Sequence, residues 1–459
     1  MRDSFATQLN VIRQYPLDQN NFPPAIKIKD KPHGEVIRSL AVWAGLSFLV
    51  SSAVNEKDNK SLSRNQKLGL LVLAVVGGAC WLITVWGVIR NFSPTALLDL
   101  RVYRDAIELW RAQGLNPYGV YVTEWKLPFT YPPFAILVLL PFSLMSFKVA
   151  AFSLLVGSFL ATAITTWVAW SRGLSGNQLA FFGRFGIVCL VLGSSGVATR
   201  LDPFQSTFDY GQVNVMLMVI VCVDLLIVQG RSKGVLLGIA IAIKLTPAVF
   251  VAYLIWQRNW RSVWTTLATV AVVTGLAGVV LPAASIEYWT RTLFATDRIG
   301  WAGYIGNQSL KGAWVRIVGD GSGATALWLL SAVAVLALLF RALKEHDIAD
   351  PNERIRAVAA LATTSLLISP VSWTHHWVWV LVISVALTIN AKRDPVALLL
   401  VSILDLIMAT NLIWQFRMAD HTIDSDWFAR VFASNCYVWL TLGILVCLAV
   451  GQIRKETAE

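Results

Sequence analysis

The sequence predicts an all-α, polytopic membrane protein, and three observations carry this prediction. Of the 459 residues, 56% are hydrophobic and only 14% are charged, which is unlike any soluble domain. Apolar runs of the length that a membrane-spanning helix needs recur along the whole chain. Many of the 20 tryptophans stand at the ends of these runs, as anchors at a membrane surface do.

The net charge of +11 is explained by membrane topology better than by nucleic-acid binding. The lysines and arginines are scattered and lie mostly beside apolar runs, as the positive-inside rule predicts. We therefore expect the lipid bilayer, and no nucleic acid, as a partner. All five cysteines lie within apolar runs and none forms a CxxC motif, so neither a disulfide framework nor a zinc site is predicted.

Residues 1–66 are predicted to form a cytoplasmic N-terminal arm, ahead of a transmembrane domain at 67–459. The first part of the arm is polar, unlike a signal peptide. The apolar segment 36–54 is borderline in length for a span, Arg38 interrupts it, and a cluster of basic residues follows it. We interpret this segment as an interfacial or re-entrant helix.

The remaining apolar runs predict about ten to twelve transmembrane helices. Single spans are expected at 68–89, 149–170, 180–199, 212–229, 262–282, 324–343, 357–370, 377–391, 396–414 and 431–450. Residues 234–255 carry basic residues at both ends and are predicted to be a hairpin of two short helices bent at Pro247. Residues 133–147 are too short for a span, so we expect an interfacial helix there.

The polar stretch 98–133 follows the first span and is the first outer loop of this topology. Asp99 begins an amphipathic helical pattern that ends at Gly114. One apolar flank is shared by Leu98, Val102, Tyr103, Ala106, Leu109 and Trp110. At a membrane surface Asp99 would be partly desolvated, which suits a general base. Its position also suits a helix N-cap, and the sequence leaves the two interpretations equally open.

Two further sites combine ionisable residues with apolar surroundings. Lys244 lies inside the predicted hairpin, where a lipid phosphate is the obvious counter-charge and snorkelling to the surface is the alternative. His375 and His376 lie in a polar corner on the same outer face as Asp99. Neighbouring histidines point in different directions along a helix, so they suit a metal site poorly. One of them suits a phosphate contact or a proton shuttle and the other an interface position, with a purely structural histidine as the alternative.

Amides interleaved with aromatic residues are typical of sugar recognition, because amides bond hydroxyls and rings stack on sugar faces. Gln212 and Asn214 open an inward span at the outer face. Asn307 and Gln308 lie in the second outer loop, at 283–323, beside three aromatic residues.

Seven short motifs, in this order, resemble glycosyltransferase family 87. The motifs are Asp99-Leu-Arg-Val-Tyr103, Asn116-Pro-Tyr118, Phe129-Thr-Tyr-Pro-Pro133, Gly211-Gln-Val-Asn214, Ile243-Lys-Leu-Thr-Pro247, Asn307-Gln-Ser309 and Ser369-Pro-Val-Ser-Trp-Thr-His-His-Trp377. Each motif is weak alone, whereas seven in order over residues 68–451 are specific. The resemblance implies a membrane-embedded GT-C fold with interfacial helices in the first outer loop. It further implies an actinobacterial polyprenyl-phosphate-mannose-dependent α-1,2-mannosyltransferase.

By this resemblance the enzyme acts at the outer face of the plasma membrane. It transfers mannose, with inversion, to cell-envelope glycolipids: phosphatidylinositol mannosides, lipomannan or lipoarabinomannan. Asp99 matches the catalytic base, and Lys244, His375 and His376 are expected at the donor phosphate. The expected sugar or acceptor contacts are Tyr103, Tyr131, Gln212, Asn214, Asn307 and Gln308. No metal, other cofactor or obligate protein partner is expected.

Two alternatives stay open at the level of sequence. A transporter or flippase of lipid-linked sugars would need polar residues spread through the spans, whereas here they collect on one face. An arabinosyltransferase that uses polyprenyl-phosphate-arabinose would present the same lipid phosphate to the same residues.

Overall fold

The computed structural model describes residues 61–90, 97–123, 126–344, 347–416, 418–419, 422–423 and 426–456. Most of the predicted arm, including the segment 36–54, lies outside the described residues. The first described helix, α1, begins at Arg64, three residues before the predicted start of the transmembrane domain.

The described chain is built almost entirely of helices. The α-helices are α1 (Arg64–Arg90), α2 (Leu98–Gln113), α3 (Pro133–Leu144), α4 (Phe147–Gly173), α5 (Gly176–Ala198), α6 (Asp202–Tyr210), α7 (Asn214–Leu226), α8 (Val235–Ile243), α9 (Val251–Trp256), α10 (Trp260–Val280), α11 (Pro282–Thr290), α12 (Leu310–Val318), α13 (Ser322–Leu343), α14 (Pro351–Ile368), α15 (Val380–Ile389), α16 (Pro395–Thr410), α17 (Trp427–Val431) and α18 (Cys436–Glu456). Short 3₁₀-helices cover Gly230–Ser232, Thr246–Phe250, Thr292–Phe294, Thr296–Ile299, Thr374–Trp379, Leu412–Gln415 and Ala433–Asn435.

Two small antiparallel hairpins complete the secondary structure. Strand β1 (Tyr121–Val122) pairs with β2 (Leu127–Pro128), with Tyr121 opposite Pro128. Strand β3 (Met418–Ala419) pairs with β4 (Thr422–Ile423). The first hairpin follows α2, so it lies in the predicted first outer loop.

Six helices of the described chain are long and apolar enough to span a membrane: α1, α4, α5, α10, α13 and the helical stretch Trp427–Val450. Helices α6 and α7 pass the same test as a pair that bends by 117°. Shorter apolar helices cover Pro133–Leu144, Thr246–Trp256, Thr374–Ile389 and Pro395–Thr410. The protein is therefore a multi-pass membrane protein. The prediction of ten to twelve spans includes shorter helices, and it stays a prediction, as does the interfacial position of α2 and α3.

The distribution of side chains agrees with a lipid environment. Large apolar side chains are exposed on the long helices, for example Leu82 at 73%, Val279 at 81% and Phe340 at 73%. The buried side chain of Arg356 is paired in the interior, where it donates to both carboxylate oxygens of Asp394, at 2.7 and 3.0 Å. An apolar exterior around a paired polar interior is what a bilayer requires.

Helices α1 and α5 pack with their backbones in contact. A Cβ atom at Gly77 would lie 2.3 Å from the carbonyl oxygen of Leu192, and one at Gly196 would lie 2.0 Å from the carbonyl oxygen of Gly77. Only glycine permits such a close approach. In lipid there is no hydrophobic driving force between helices, so close van der Waals contact of this kind is what holds them together.

The segment 234–255 is a pair of short helices, as predicted, but the chain breaks before Pro247. Helix α8 ends at Ile243, and Lys244 is extended with φ −150° and ψ 130°. Pro247 lies in the first turn of the 3₁₀-helix Thr246–Phe250, where a missing N–H is tolerated. The break therefore places the Lys244 side chain, rather than the proline, at the bend.

Candidate active site

Helix α2 forms where the amphipathic pattern predicts it. Leu98, Leu100, Val102, Tyr103, Ala106 and Ile107 are buried, and Leu109 and Trp110 pack partly buried against the core. Gly114 ends the helix with φ 68°, and its N–H bonds the carbonyl oxygen of Trp110. The helix thereby fixes the position of Asp99 in its first turn.

The N-cap interpretation of Asp99 is wrong. The N-cap residue is Leu97, and no side chain caps the helix. The carboxylate of Asp99 accepts a hydrogen bond from Nε2 of Gln212 instead, over 2.6 Å. Its other oxygen, Oδ1, has no hydrogen-bond partner among the described residues, and the side chain is only half-buried.

The turn between α6 and α7 brings Gln212 to Asp99. The N–H of Leu97 bonds the carbonyl oxygen of Asp209, which ties the start of α2 to the end of α6. Gly211 follows with φ 71°, and a Cβ there would lie 3.0 Å from Cβ of Leu100. Glycine therefore supplies both the left-handed conformation and the room for the turn to lie against α2.

Helix α6 is itself anchored by a buried carboxylate that sequence reasoning missed. Oδ1 of Asp202 accepts from Nε1 of Trp414 at 3.0 Å and from Oγ of Ser206 at 2.9 Å, and Oδ2 accepts from the hydroxyl of Tyr437 at 3.2 Å. An acidic residue in the first turn of a short helix gives no signal of partners more than 200 residues away. The contacts join α6 to the C-terminal part of the chain.

Two tyrosine hydroxyls lie beside the amide of Gln212. Oε1 of Gln212 is 2.8 Å from Oη of Tyr131 and 3.1 Å from Oη of Tyr103, and the two hydroxyls are 3.0 Å apart. Tyr103, Tyr131 and Gln212 are buried. The structure thus brings Tyr103, Tyr131, Gln212 and Asp99 into one hydrogen-bonded group, although the sequence separates them by up to 113 residues.

Lys244 extends this group across the site. Its Nζ donates to Oδ1 of Asn214 at 2.8 Å, lies 3.1 Å from Nε2 of His376, and lies 3.4 Å from the hydroxyl of Tyr131. It also stands 5.0 Å from the centre of the Tyr131 ring. The ammonium group is therefore buried in a neutral, polar environment and does not snorkel to the surface.

The two histidines occupy different positions, as their spacing predicts. His376 contacts Lys244, whereas the ring of His375 packs against Tyr210 with ring centres 5.8 Å apart. The carbonyl oxygen of His375 accepts from Nδ2 of Asn214 at 3.0 Å. His376 therefore faces the lysine, and His375 packs beside it.

Asn307 and Gln308 lie apart from these contacts. They form hydrogen bonds with backbone groups in and around the polar corner, residues 369–377. Asn307 donates to the carbonyl oxygens of Ala302 and Pro370 and accepts from the N–H of Ser372 at 2.8 Å. Gln308 donates to the carbonyl oxygens of Ile305 and Ser434. Both are 0% exposed, so these contacts give no support to the predicted sugar binding.

Desolvation raises the pKa of the Asp99 carboxyl to about 6, although the hydrogen bond from Gln212 and the charge of Lys244 lower it. A carboxylate with such a pKa is ionised at neutral pH and is a stronger proton acceptor than an ordinary aspartate. The raised value and the unbonded oxygen together suit a general base.

A small pocket adjoins Lys244 and its partners. Asn214 and His376 line it, and so do hydroxyl groups that the sequence analysis did not single out: Thr246, Ser365, Ser369 and Ser372. Three of these four lie inside the motifs described above, but an uncharged hydroxyl gives no sequence signal of its own. The part of the chain that the structure describes contains no group of three or more His, Cys, Asp or Glu side chains placed to hold a metal ion.

The fold and the site define a multi-pass membrane protein that holds a carboxylate and a buried lysine in one polar network. A sequence profile of Glycosyltransferase family 87 matches residues 129–370. The chain belongs to glycosyltransferase family 87 and is a glycosyltransferase with the all-α, GT-C type of membrane fold.

Relatives in mycobacteria cover most of the chain. It is 34% identical over 388 residues to a polyprenol-phosphate-mannose-dependent α-(1-2)-phosphatidylinositol mannoside mannosyltransferase of Mycolicibacterium smegmatis, covering 79% of this chain and 86% of that protein. The protein of that name in Mycobacterium tuberculosis is 32% identical over 408 residues, covering 85% and 92%. A phosphatidylinositol pentamannoside mannosyltransferase of M. smegmatis is 35% identical, covering 70% and 75%. No solved structure matches the chain.

Proposed function

We propose that this protein transfers mannose from a polyprenyl-phosphate-mannose donor to the 2-hydroxyl of a mannoside in a membrane glycolipid. The observation that carries the proposal is the network that joins Asp99 to Lys244 through Gln212 and Tyr131. This network supports the proposal because it joins a carboxylate, which can accept a proton, to a lysine, which can bind a phosphate. The names of the mycobacterial relatives supply the sugar, the lipid carrier and the linkage.

Asp99 acts as the general base in this reaction. Its Oδ1 takes the proton from the acceptor 2-hydroxyl while the hydroxyl oxygen attacks the anomeric carbon of the donor. The bond from that carbon to the phosphate oxygen breaks, and polyprenyl phosphate leaves with the bonding electron pair. Attack from the opposite face converts a β-linked donor into an α-mannoside.

Lys244 stabilises the leaving phosphate. A buried ammonium group favours an anion beside it, and a charge-assisted contact strengthens as charge develops on the leaving oxygen. His376 lies 3.1 Å from the same Nζ and is the second residue proposed to contact the phosphate. His375 packs beside this pair, and its carbonyl oxygen fixes Asn214.

The acceptor is a phosphatidylinositol mannoside by this proposal, in keeping with the names of the mycobacterial relatives. Residues 67–459 form the catalytic transmembrane domain, and 1–66 form the cytoplasmic arm. The domain lies in the plasma membrane with the Asp99 site at the extracytoplasmic side, because the Lys/Arg-rich ends of the predicted spans face the cytoplasm. The chain needs no metal and no protein partner.

An assay with purified full-length protein tests the proposal. The assay contains polyprenyl-phosphate-mannose as the donor and phosphatidylinositol mannosides of defined mannose number as acceptors. The linkage of the product is then determined. We expect a new α-1,2-mannoside. If the protein transfers sugar only from polyprenyl-phosphate-arabinose, it is an arabinosyltransferase and not a mannosyltransferase. If the lipid-linked sugar crosses the membrane of vesicles and no product forms, the protein is a transporter.

A further inference from the structure

We propose that Gln212 is a positioning residue for Asp99, not a sugar ligand. Its amide holds one oxygen of the Asp99 carboxylate and leaves the other for the acceptor, and the hydroxyls of Tyr103 and Tyr131 fix the amide in this orientation. The inference rests on the proposed role of Asp99 as the base. It replaces the sugar-binding roles that the sequence predicts for these three residues.

The surroundings of the amide permit only one of its two orientations. Oε1 of Gln212 lies 2.8 Å from the hydroxyl of Tyr131, 3.1 Å from that of Tyr103 and 3.4 Å from Nδ2 of Asn214. Each of these groups can donate a hydrogen bond, and the amide nitrogen of Asn214 can only donate. An amide turned by 180° would point a donor at Asn214 and its oxygen at the Asp99 carboxylate.

The orientation decides what Asp99 can do. Nε2 of Gln212 donates to Oδ2 of Asp99 over 2.6 Å, and the bond is charge-assisted because the acceptor is an ionised carboxylate. Oδ1 is then the oxygen with no partner among the described residues. Because Oδ2 is held by Gln212 and Oδ1 is available, the acceptor hydroxyl must approach from the side of Oδ1.

Burial argues against direct sugar contact by the same residue. Gln212 is 5% exposed and Tyr103 is 4% exposed, whereas Asp99 is half-buried. The oxygen of the amide already faces three donors, more than its two lone pairs can serve. The accessible group in this cluster is therefore the carboxylate.

The titratable groups that interact with the charge of Asp99 are Lys244, Tyr103, Tyr131 and Tyr210. Lys244 lies at the break after α8, and the tyrosines come from α2, the segment just before α3 and the end of α6. The tyrosines are uncharged in the working pH range, so Lys244 and the Gln212 hydrogen bond are the influences that favour the ionised carboxylate. Loss of the Gln212 donor consequently raises the pKa of Asp99.

The test is the pH dependence of transfer by the full-length protein carrying Gln212→Met. Methionine is similar in length and cannot donate a hydrogen bond. We expect the acidic limb of kcat/KM to move upward by about one pH unit or more, because a hydrogen bond to a charged group is worth that much. The KM for the polyprenyl-phosphate donor should stay unchanged while kcat falls.

Gln205→Met is the matched control, since Gln205 is a nearby glutamine in α6 whose amide bonds a backbone carbonyl, that of Arg200. It should leave the acidic limb in place. Tyr103→Phe is a second, milder variant, which removes one of the groups that orient the amide. It should move the limb in the same direction by less, and it decides the question if Gln212→Met does not fold.

A wild-type acidic limb in Gln212→Met or, where that variant does not fold, in Tyr103→Phe overturns the inference. If the acceptor KM rises at the same time, Gln212 is a sugar ligand. Either result leaves the proposed function intact, because the wild-type protein still makes the mannoside. Absence of product from the wild-type protein itself overturns the proposed function and this inference together.

Discussion

Lys244 is a buried ammonium group with no carboxylate in direct contact among the described residues. Its neighbours are a tyrosine hydroxyl, an asparagine oxygen and a histidine nitrogen. An ammonium group in such a place is costly unless an anion joins it, and the free energy is recovered when the donor phosphate arrives. The residue is therefore expected to contribute to donor binding more than to stability.

Lys244→Ala should weaken use of the polyprenyl-phosphate donor. A charge-assisted contact is worth about 1.5–3 kcal/mol, which corresponds to roughly a 10- to 150-fold loss. Steady-state kinetics with varied donor measure the effect. Lys311→Ala is the control, because Lys311 also faces an aromatic ring, that of Trp328 at 5.4 Å, in another part of the fold. An unchanged apparent affinity for the donor in Lys244→Ala would exclude the phosphate role.

At the residue scale, the sequence predicted several of the side chains that the structure brings into one hydrogen-bonded network, but not how they bond. Motif order was enough to single out Asp99, Gln212, Asn214, Lys244 and His376. The partner of each depends on turns that bring distant segments together, such as the one at Gly211. For the same reason a short motif such as Asn307-Gln308 cannot distinguish a sugar-facing amide from one that bonds the backbone of another loop.

At the scale of elements, the polar corner before α15 is held by the turn that precedes α12. Asn307 forms an isolated β-bridge with Trp373, and the N–H of Gln308 bonds the carbonyl oxygen of Ser372. The corner in turn packs on α6, where Thr207 contacts the carbonyl oxygen of His375. The segment 283–323, which is the predicted second outer loop, thus supports the position of the histidines.

Asn307→Ala should therefore destabilise the protein and leave acceptor affinity nearly unchanged. The variant leaves the N–H of Ser372 buried without its acceptor, which costs about 1–3 kcal/mol. Thermal unfolding in detergent measures the stability, and steady-state kinetics measure the acceptor KM. A wild-type melting temperature with a raised acceptor KM would restore the sugar-binding role.

Periodicity predicted the elements well where one helix face is buried, as in α2. It placed the break in 234–255 at the wrong residue, because proline was taken as the cause. Proline is tolerated in the first turn of the 3₁₀-helix, and the extended backbone of Lys244 makes the break.

At the scale of the whole molecule, the class of fold follows from composition and long apolar runs, and the family model and the long helices confirm it. The number of crossings is less well determined by sequence. Helices such as α16 are apolar but short, and α14 carries Glu353, Arg354 and Arg356 near its start. Arg356 is paired internally with Asp394, and no hydropathy pattern anticipates that pairing.

The topology predicts that Asp99, Asn307 and His375 lie on one side of the membrane, and Arg231, Arg258 and Lys392 on the other. Single cysteines in a background without native cysteines can test this arrangement. Gln113→Cys and Lys392→Cys both replace exposed residues. An impermeant thiol reagent added to intact cells should label the first and not the second. The reverse pattern would place the site on the cytoplasmic side.

The central claim is that Asp99 is the base of a mannosyl transfer, and Asp99→Asn is its most direct test. Asparagine keeps the shape and can still accept the hydrogen bond from Gln212, but it cannot take a proton. Loss of general-base catalysis typically lowers the rate 10²–10⁴-fold. Product formation is measured for the purified wild-type protein and the variant, together with melting temperature and donor binding. We expect Asp99→Asn to fold and bind the donor but to lose transfer; an Asp99→Asn protein that transfers mannose at the wild-type rate would contradict the account.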